Sequence, residues 1–442
     1  MNRYYIEDLH HVPPFNQPAS ELTVGVRPLK LHQEDLFAEY LGETLELKNV
    51  FKSSKQLIEV TGESIVYRDN LWFDREFLEY FMANARQQKR AVRAAFRADD
   101  LAYKTYTLPL AHDIESDVDE HGNMIYLLDL WYFPDGYTRD VAPVVVPSDY
   151  REMGFFAVPG YMTMDQGDLT HYAPMRAVVS IESWVHLYFA SIIFGTFARS
   201  GRLDKRIDES FMTNVKMLWK AIIEQRQILS SGGSGGSGGA VEIGSNCTID
   251  PTAIIRGPAK IGNNVSIGAG VIIDNCTIGN NVNIDAGCML YQSTVGNGSF
   301  LPFRAALYLT TIMEDVIVAQ NTCLQMCVIG RNTFVGAGST FTDFNMFGNV
   351  PIRATNRRGE LEEVGQAVLG GAVGHNCRIG AGMVVMPGRM IESDVVLVAS
   401  PQRRVINRNV TFAESDHHIY GSQMHPRFFP QEGEAVGAVE SW

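Results

Sequence analysis

The 442-residue chain is 45% hydrophobic and carries 50 acidic against 37 basic side chains, a net charge of −13. That balance argues against a nucleic-acid binder, which needs basic patches to displace phosphate counterions. The length allows two or three domains, residues 1–25 lack the basic and then apolar run of a secretory signal, and the most apolar helical stretch, Trp184 to Ala198, is too short to span a bilayer and contains His186. A cytoplasmic protein without membrane partners is expected.

Residues 1–229 alternate between the two hydrophobic periods. Arg3–Asp8, Leu57–Thr61, Ala91–Phe96, Met124–Phe133 and Val141–Val146 read as strands, and Gln33–Leu41, Asp74–Arg86, Ser183–Ser200 and Glu209–Leu229 read as helices. The alternation predicts an α/β domain with a mostly parallel sheet. Asp74 is the expected N-cap of its helix, with Phe77, Leu78, Phe81 and Met82 on one face. Trp184 to Phe197 is apolar nearly all round and should lie buried between the sheet and a neighbour. Residues 230–239, SSGGSGGSGG, form a flexible tether that resembles an engineered linker.

From residue 240 to 412 the pattern changes. Read at every seventeenth residue, Ile261, Ile278, Val295, Ile312 and Ile329 form one column, Ile267, Ile284, Leu301, Val318 and Val335 a second, and Ile273, Leu290, Leu307, Leu324 and Phe341 a third. At this composition the coincidence would arise roughly a few times in a million, so the spacing encodes a repeat. Three short strands per coil, each turning one apolar residue inward, make a solenoid. Ile243, Ile249 and Ile255 add an earlier coil, and Val373, Ile379, Val385, Ile391 and Leu397 later ones, between seven and eight in all. Gly262, Gly268, Gly279, Gly296, Gly330 and Gly336, with nearby Asn263, Asn264, Asn280, Asn281 and Asn297, are expected to supply corners with positive φ. All six cysteines lie in this half, where buried reduced thiols are expected; Cys323 and Cys327 have no second ligand pair at zinc spacing. Val271 and Ile272 are expected on the outer face of the coils. An insertion, 342–372, interrupts the repeat with Arg353, Arg357 and Arg358, and a tail, 413–442, carries His417, His418 and His425 and an aromatic tether at Phe428, Phe429 and Pro430.

The Ile-Gly-x-x-Val-x pattern resembles the hexapeptide repeats of left-handed parallel β-helix transferases, and the left hand and a homotrimer are what that resemblance implies. Thr342-Asp343-Phe344-Asn345, Val350-Pro351-Ile352-Arg353, Gly359-Glu360, Leu369-Gly370-Gly371-Ala372-Val373-Gly374 and Met386-Pro387-Gly388 resemble the loop-and-return segment of archaeal-type bifunctional sugar-1-phosphate nucleotidyltransferases, the family of the uridyltransferase that makes UDP-N-acetylglucosamine. Phe15-Asn16-Gln17-Pro18-Ala19-Ser20-Glu21-Leu22-Thr23-Val24-Gly25 looks like the opening of a divergent branch, and Thr61-Gly62-Glu63 and Arg68-Asp69-Asn70-Leu71 fit it loosely. The resemblance implies a nucleotide sugar or sugar phosphate as ligand, Mg2+ for nucleotidyl transfer and acetyl-CoA for acyl transfer.

The residues depart from that family. Its Gly-x-Gly-Thr-Arg loop after the first strand is absent, and residues 9–25 hold one glycine, Gly25. Gly25, Arg27 and Lys30 are the substrate-binding candidates, joined by Arg353 in the insertion; Asp69, Asp129 and Asp135 are the candidates for a metal. The family histidine is missing from Ala319-Gln320-Asn321-Thr322, which leaves His375 as candidate base and Asn345 as the loop residue that matches the family. Three readings follow: a nucleotidyltransferase-like binder of sugar nucleotides, a catalytically silent trimeric scaffold or sensor, and an acyltransferase acting through His375.

Overall fold

The computed structural model describes residues 1–42, 45–158, 167–209, 241–345, 350–420 and 427–434. The expected helix at Glu209–Leu229, apart from Glu209 itself, the tether at 230–239 and His425 lie outside the described residues.

The first half is built on one sheet of strands β1 (Asn2–Ile6), β2 (Leu47–Phe51), β3 (Ser64–Arg68), β4 (Val92–Arg97), β5 (Glu115–Val118), β6 (Met124–Phe133) and β7 (Ala142–Val145). Their order is β7-β4-β6-β3-β1-β2, with β5 added to β6. β1 runs parallel to β2 and β3, and β7 to β4, whereas β6 is antiparallel to β3, β4 and β5. The sheet is therefore mixed rather than mostly parallel, because β6 enters it through the β5–β6 hairpin instead of a helical crossover. Helices α1 (Leu29–Leu41), α2 (Arg75–Gln88) and α3 (Leu101–Tyr106) are the long connections. Asp74 caps α2 by accepting from Phe77 N–H at 2.8 Å, and Phe77, Leu78, Phe81 and Met82 are buried on the sheet. Leu57–Thr61, expected as a strand, is instead the end of a 3-10 turn, Ser54–Glu59, folded over the other face of the sheet with Leu57 buried against it.

In the second half, parallel strands stack into three sheets of eight strands, consistent with a left-handed β-helix. The fifteen column residues are all buried inside the prism and lie on consecutive rungs, as in Ile267 beside Ile284 and Ile284 beside Leu301. The corners correct the expected role of the glycines. Positive φ occurs at Asn264 (57°), Asn281 (57°) and Asn332 (52°), not at Gly262 or Gly279. A Cβ on Gly262 would sit 2.6 Å from Gly279 O and from Asn280 Oδ1, so glycine is required there because the next coil passes too close. Asparagines then staple the coils: Asn297 Oδ1 accepts from Asn280 N–H at 2.7 Å, and Asn280 Oδ1 from Asn263 N–H at 2.8 Å. Val271 is buried inside the prism, one residue before Ile272, which lies on its outer face. Cys276, Cys288, Cys327 and Cys377 are buried free thiols.

The two halves share a core. Ser183 caps α4 (Trp184–Tyr188), which continues as a π-helix over Phe189–Phe197 and then as α5 (Ala198–Glu209). Trp184, Val185, Phe189 and Phe194 pack together with Leu309, Met313, Met326, Val328 and Ala372 of the β-helix. Arg199 donates to Thr277 Oγ1 at 2.9 Å, and Asn275 donates to Thr196 O at 3.0 Å. The apolar stretch thus covers one face of the prism, and the outward residues of that face, Thr294, Thr311, Val328 and Ala372, are buried. The insertion after Phe341 forms a hairpin, Arg353–Thr355 with Leu361–Glu363, that reaches back to the α/β half.

Candidate ligand-binding cleft at the domain junction

Parallel strands β1 and β3 end side by side at Ile6 and Arg68, and the chain leaving them carries Asp8, Asp69 and Asn70. Asp8 N–H donates to Asp69 Oδ1 and Asn70 Nδ2 donates to Asp8 Oδ2, both at 2.8 Å. Gln33 of α1 holds this turn from beneath, donating to Asp69 O at 3.2 Å and to Leu71 O at 2.7 Å. Burial pushes the Asp69 carboxyl up to about 6. On β6, Asp129 accepts from Arg68 Nε at 2.5 Å and from Arg93 Nη2 at 2.7 Å.

The insertion hairpin closes the opposite side. Arg357, its side chain only 9% exposed, donates to Asp113 and stands 3.5 Å from Glu182 and 3.8 Å from Asp8. His112 Nε2 meets Glu362 Oε2 at 2.8 Å, and Asn356 Nδ2 donates to the same oxygen at 3.1 Å. Between these groups lies a narrow polar cleft of about 20 Å³ lined by Asp8, Arg68, Asn70, Asp113, Asp129, Glu182 and Arg357. Burial raises the Glu182 carboxyl, which accepts His112 N–H at 3.0 Å. Two guanidinium groups stand among four carboxylates, Arg68 paired with Asp129 and Arg357 with Asp113, Glu182 and Asp8.

Of the residues expected from sequence, Asp129 lines the cleft and Asp69 anchors its floor. The others stand elsewhere. Gly25 (φ 66°) makes the turn before α1 and donates to Ser191 Oγ at 3.0 Å, Arg27 pairs with Asp35 at 2.7 Å, and the Lys30 ammonium lies 5.7 Å over the Tyr5 ring. Arg353 pairs with Glu363 at 3.0 Å on the exposed side of the hairpin, while Arg357 at its tip is the arginine that enters the cleft. Asn345 Nδ2 donates to Val350 O at 3.0 Å within the insertion, and Asp135 is exposed in a turn.

His375 occupies the corner position of Asn280 and Asn297. Its Nδ1 accepts Arg331 N–H at 3.0 Å, its own N–H donates to Ser393 Oγ at 2.8 Å, and its ring lies between Phe15 and Phe429, with centroids 5.1 and 4.9 Å away. It is fully buried, which holds its pKa well below the ordinary histidine value, and Nε2 has no hydrogen-bond partner among the described residues. The Phe429 tether was expected. Asp8, Asp113 and Glu182 were not marked by sequence reasoning as a site, because they come from three distant segments; Arg357 was picked out with Arg353 and Arg358 in the insertion, and Arg68 and Asn70 lie inside Arg68-Asp69-Asn70-Leu71.

Comparison with known proteins fixes the repeat. Residues 240–275 match the family profile described as bacterial transferase hexapeptide (six repeats). The first coils of the solenoid are thus similar to the hexapeptide-repeat family. Over 39 residues the chain is 49% identical to the bifunctional protein GlmU of Francisella philomiragia, a match that spans 9% of this chain and 9% of that protein's length. Among solved structures, a mutant of AntD, an N-acyltransferase from Bacillus cereus in complex with dTDP and Coenzyme A, is 18% identical, with 36% of this chain and 80% of that one covered and a TM-score of 0.19. The polysialic acid O-acetyltransferase OatWY is also 18% identical, with 40% and 82% covered and a TM-score of 0.18. TM-scores this low carry no argument.

Proposed function

We propose that the chain is a sugar-1-phosphate nucleotidyltransferase-like protein that binds a nucleotide sugar or sugar phosphate in the junction cleft, and that its hexapeptide-repeat β-helix gathers three copies into a trimer. The position of the cleft carries the reading: α/β sheets hold their ligands outside the carboxyl ends of parallel strands, and here the ends of β1 and β3 present Arg68 opposite Arg357. Planar guanidinium groups suit phosphate oxygens, while Asp8 and Asn70 offer partners for sugar hydroxyls. The resemblance of residues 342–388 and the short match to the bifunctional protein GlmU support the ligand class.

The residues do not fit Mg2+ as they stand. Asp129 accepts from an arginine on each oxygen, Asp69 Oδ1 takes Asp8 N–H, and no cluster of three ligating side chains occurs among the described residues. Acyl transfer from acetyl-CoA through His375 meets a similar obstacle, since a base needs a free nitrogen facing its substrate and both ring nitrogens are enclosed. What these residues offer is binding, which also favours the second reading, a silent scaffold or sensor.

Calorimetry with uridine and thymidine nucleotide sugars and hexose phosphates is expected to give micromolar to millimolar Kd values, about 4–8 kcal/mol, weakened about tenfold in Arg68→Ala. A pyrophosphate assay with nucleoside triphosphate, magnesium and sugar phosphate, and a thiol-release assay with acetyl-CoA, run beside it. Robust pyrophosphate release would replace binding by catalysis, thiol release abolished in His375→Ala would establish the acyltransferase, and absence of binding in every arm would leave the scaffold.

A further inference from the structure

The face of the α/β sheet turned away from the helices has a second cleft beside the junction cleft: Leu127 lines both, and Arg93 of this one pairs with Asp129 of the other. Helices cover one face of the sheet, but over Trp131, Phe133 and Val141 the other is covered mainly by the 3-10 turn at Leu57, and a depression of about 320 Å³ remains open there. Its floor is aromatic: Trp131 and Phe133 are buried, and Phe133 lies 6.1 Å from the Tyr137 ring, which is exposed at the wall. The wall is held in place rather than loose. Gly136 bridges to Thr61 with φ 94° at a site where a Cβ would come 3.0 Å from Val60 O, and Tyr137 N–H donates to Val60 O at 3.0 Å.

Charge gives the cleft a direction. Arg93 stacks 4.8 Å over Trp131, but its guanidinium is taken by Glu115 and Asp129. Arg139 stands exposed at the rim, without an ion pair among the described residues, in a chain whose net charge is −13. Asp117 is the one carboxylate in the lining. A free guanidinium beside an exposed aromatic wall matches a ligand with a flat apolar body and an anionic group at one end: the ring replaces water against Tyr137 and Val141, since Arg93 already covers Trp131, while Arg139 takes the anion. We infer that this cleft is a second binding site, for a small aromatic anion such as an aryl carboxylate or sulfonate.

The test uses the full chain and anilinonaphthalene sulfonate as probe, read by its fluorescence enhancement and by calorimetry. Saturable binding at one site per chain is expected, with Kd raised about tenfold in Arg139→Ala, unchanged in a control at another exposed arginine, Arg256→Ala, and abolished in Val141→Trp, which fills the cleft. Benzoate should compete, and benzylamine, its cationic counterpart, should not. Arg139 is exposed, so its variant should keep the wild-type Tm. Binding unchanged in both Arg139→Ala and Val141→Trp, or equal competition by the amine, overturns the site. Loss of nucleotide-sugar binding in Arg68→Ala leaves it untouched, because Arg68 does not line this cleft.

Discussion

Asp69 shows how one buried carboxyl links the cleft to stability. Its folded-state value of about 6 lies above that of an ordinary aspartate, so between about pH 4 and 6 the folded chain holds the proton more tightly than the unfolded chain. Its contribution to stability therefore falls as pH rises through that window and stays level above it. Asp69→Asn keeps an acceptor for Asp8 N–H without the charge, and at pH 7 it should be more stable than wild type by roughly 1–3 kcal/mol in urea titrations, with the gap closed by pH 4. Equal stabilities at pH 7 would refute the burial argument. In the prism the cost is one of packing: Ile284→Ala, on an inward column, should lose about 2–5 kcal/mol. Asn281→Ala at an exposed corner gives up one bond from Asn264 Nδ2 at 3.0 Å and a tolerant left-handed residue, and should lose about 1–2 kcal/mol. Matching losses in the two variants would mean that the register is wrong.

Stacking of one coil on the next depends on two kinds of glycine, which substitution should separate. Gly262→Ala places a methyl group against Gly279 O and should cost about 1–3 kcal/mol or more. Gly270 has φ 66° and open space around its Cα, and Asn321 fills the equivalent corner at φ 55°, so Gly270→Asn should change stability by less than about 0.5 kcal/mol in the same titration. If Gly262→Ala proved as mild, close approach would not be its role. The inward columns were legible because a seventeen-residue period repeats its instruction coil after coil. The purpose of Gly262 was not, since a glycine reads alike whether it supplies torsion or room. The mixed direction of the sheet was hidden as well: Met124–Phe133 spells a strand with its ends correct but not which way it runs against β3. As for the cleft, Asp69 and Asp129 stood out as isolated acids, but Asp8, Glu182 and Arg357 meet only after strand ends and an insertion from the other half of the chain have come together.

Of the three faces of the prism, the apolar helical stretch covers one, and among the described residues the other two carry exposed apolar ladders that suit each other. The second face presents Phe300, Ile317 and Phe334 on successive rungs, with Ile317 39% and Phe334 37% exposed. The third presents Ile272, Met289, Ala306 and Cys323. Apolar ladders on adjacent faces allow a head-to-tail contact that closes around a threefold axis. Light scattering should give about three times the chain mass of 49.1 kDa, and Ile317→Arg should bring the mass down toward that of one chain. A wild-type mass near one chain at micromolar concentration would exclude the trimer.

Ser393 Oγ donates to Pro14 O at 2.9 Å, and Asn16 Nδ2 to Glu392 Oε1 at 3.0 Å, so a loop near the start of the chain is fastened to one of its last coils. During synthesis that loop has to wait. The two ends of the first bond are 379 positions apart, and at ribosomal speeds of about 5–20 residues per second the wait is roughly twenty seconds to over a minute. Meanwhile Phe15 has no histidine to rest on, and the segment stays unprotected until the late coils have been made. Nascent chains stalled before residue 390 should be cut by protease around residues 9–16, and chains stalled well beyond 410 should resist; equal resistance in both would show that the loop finds another resting place first.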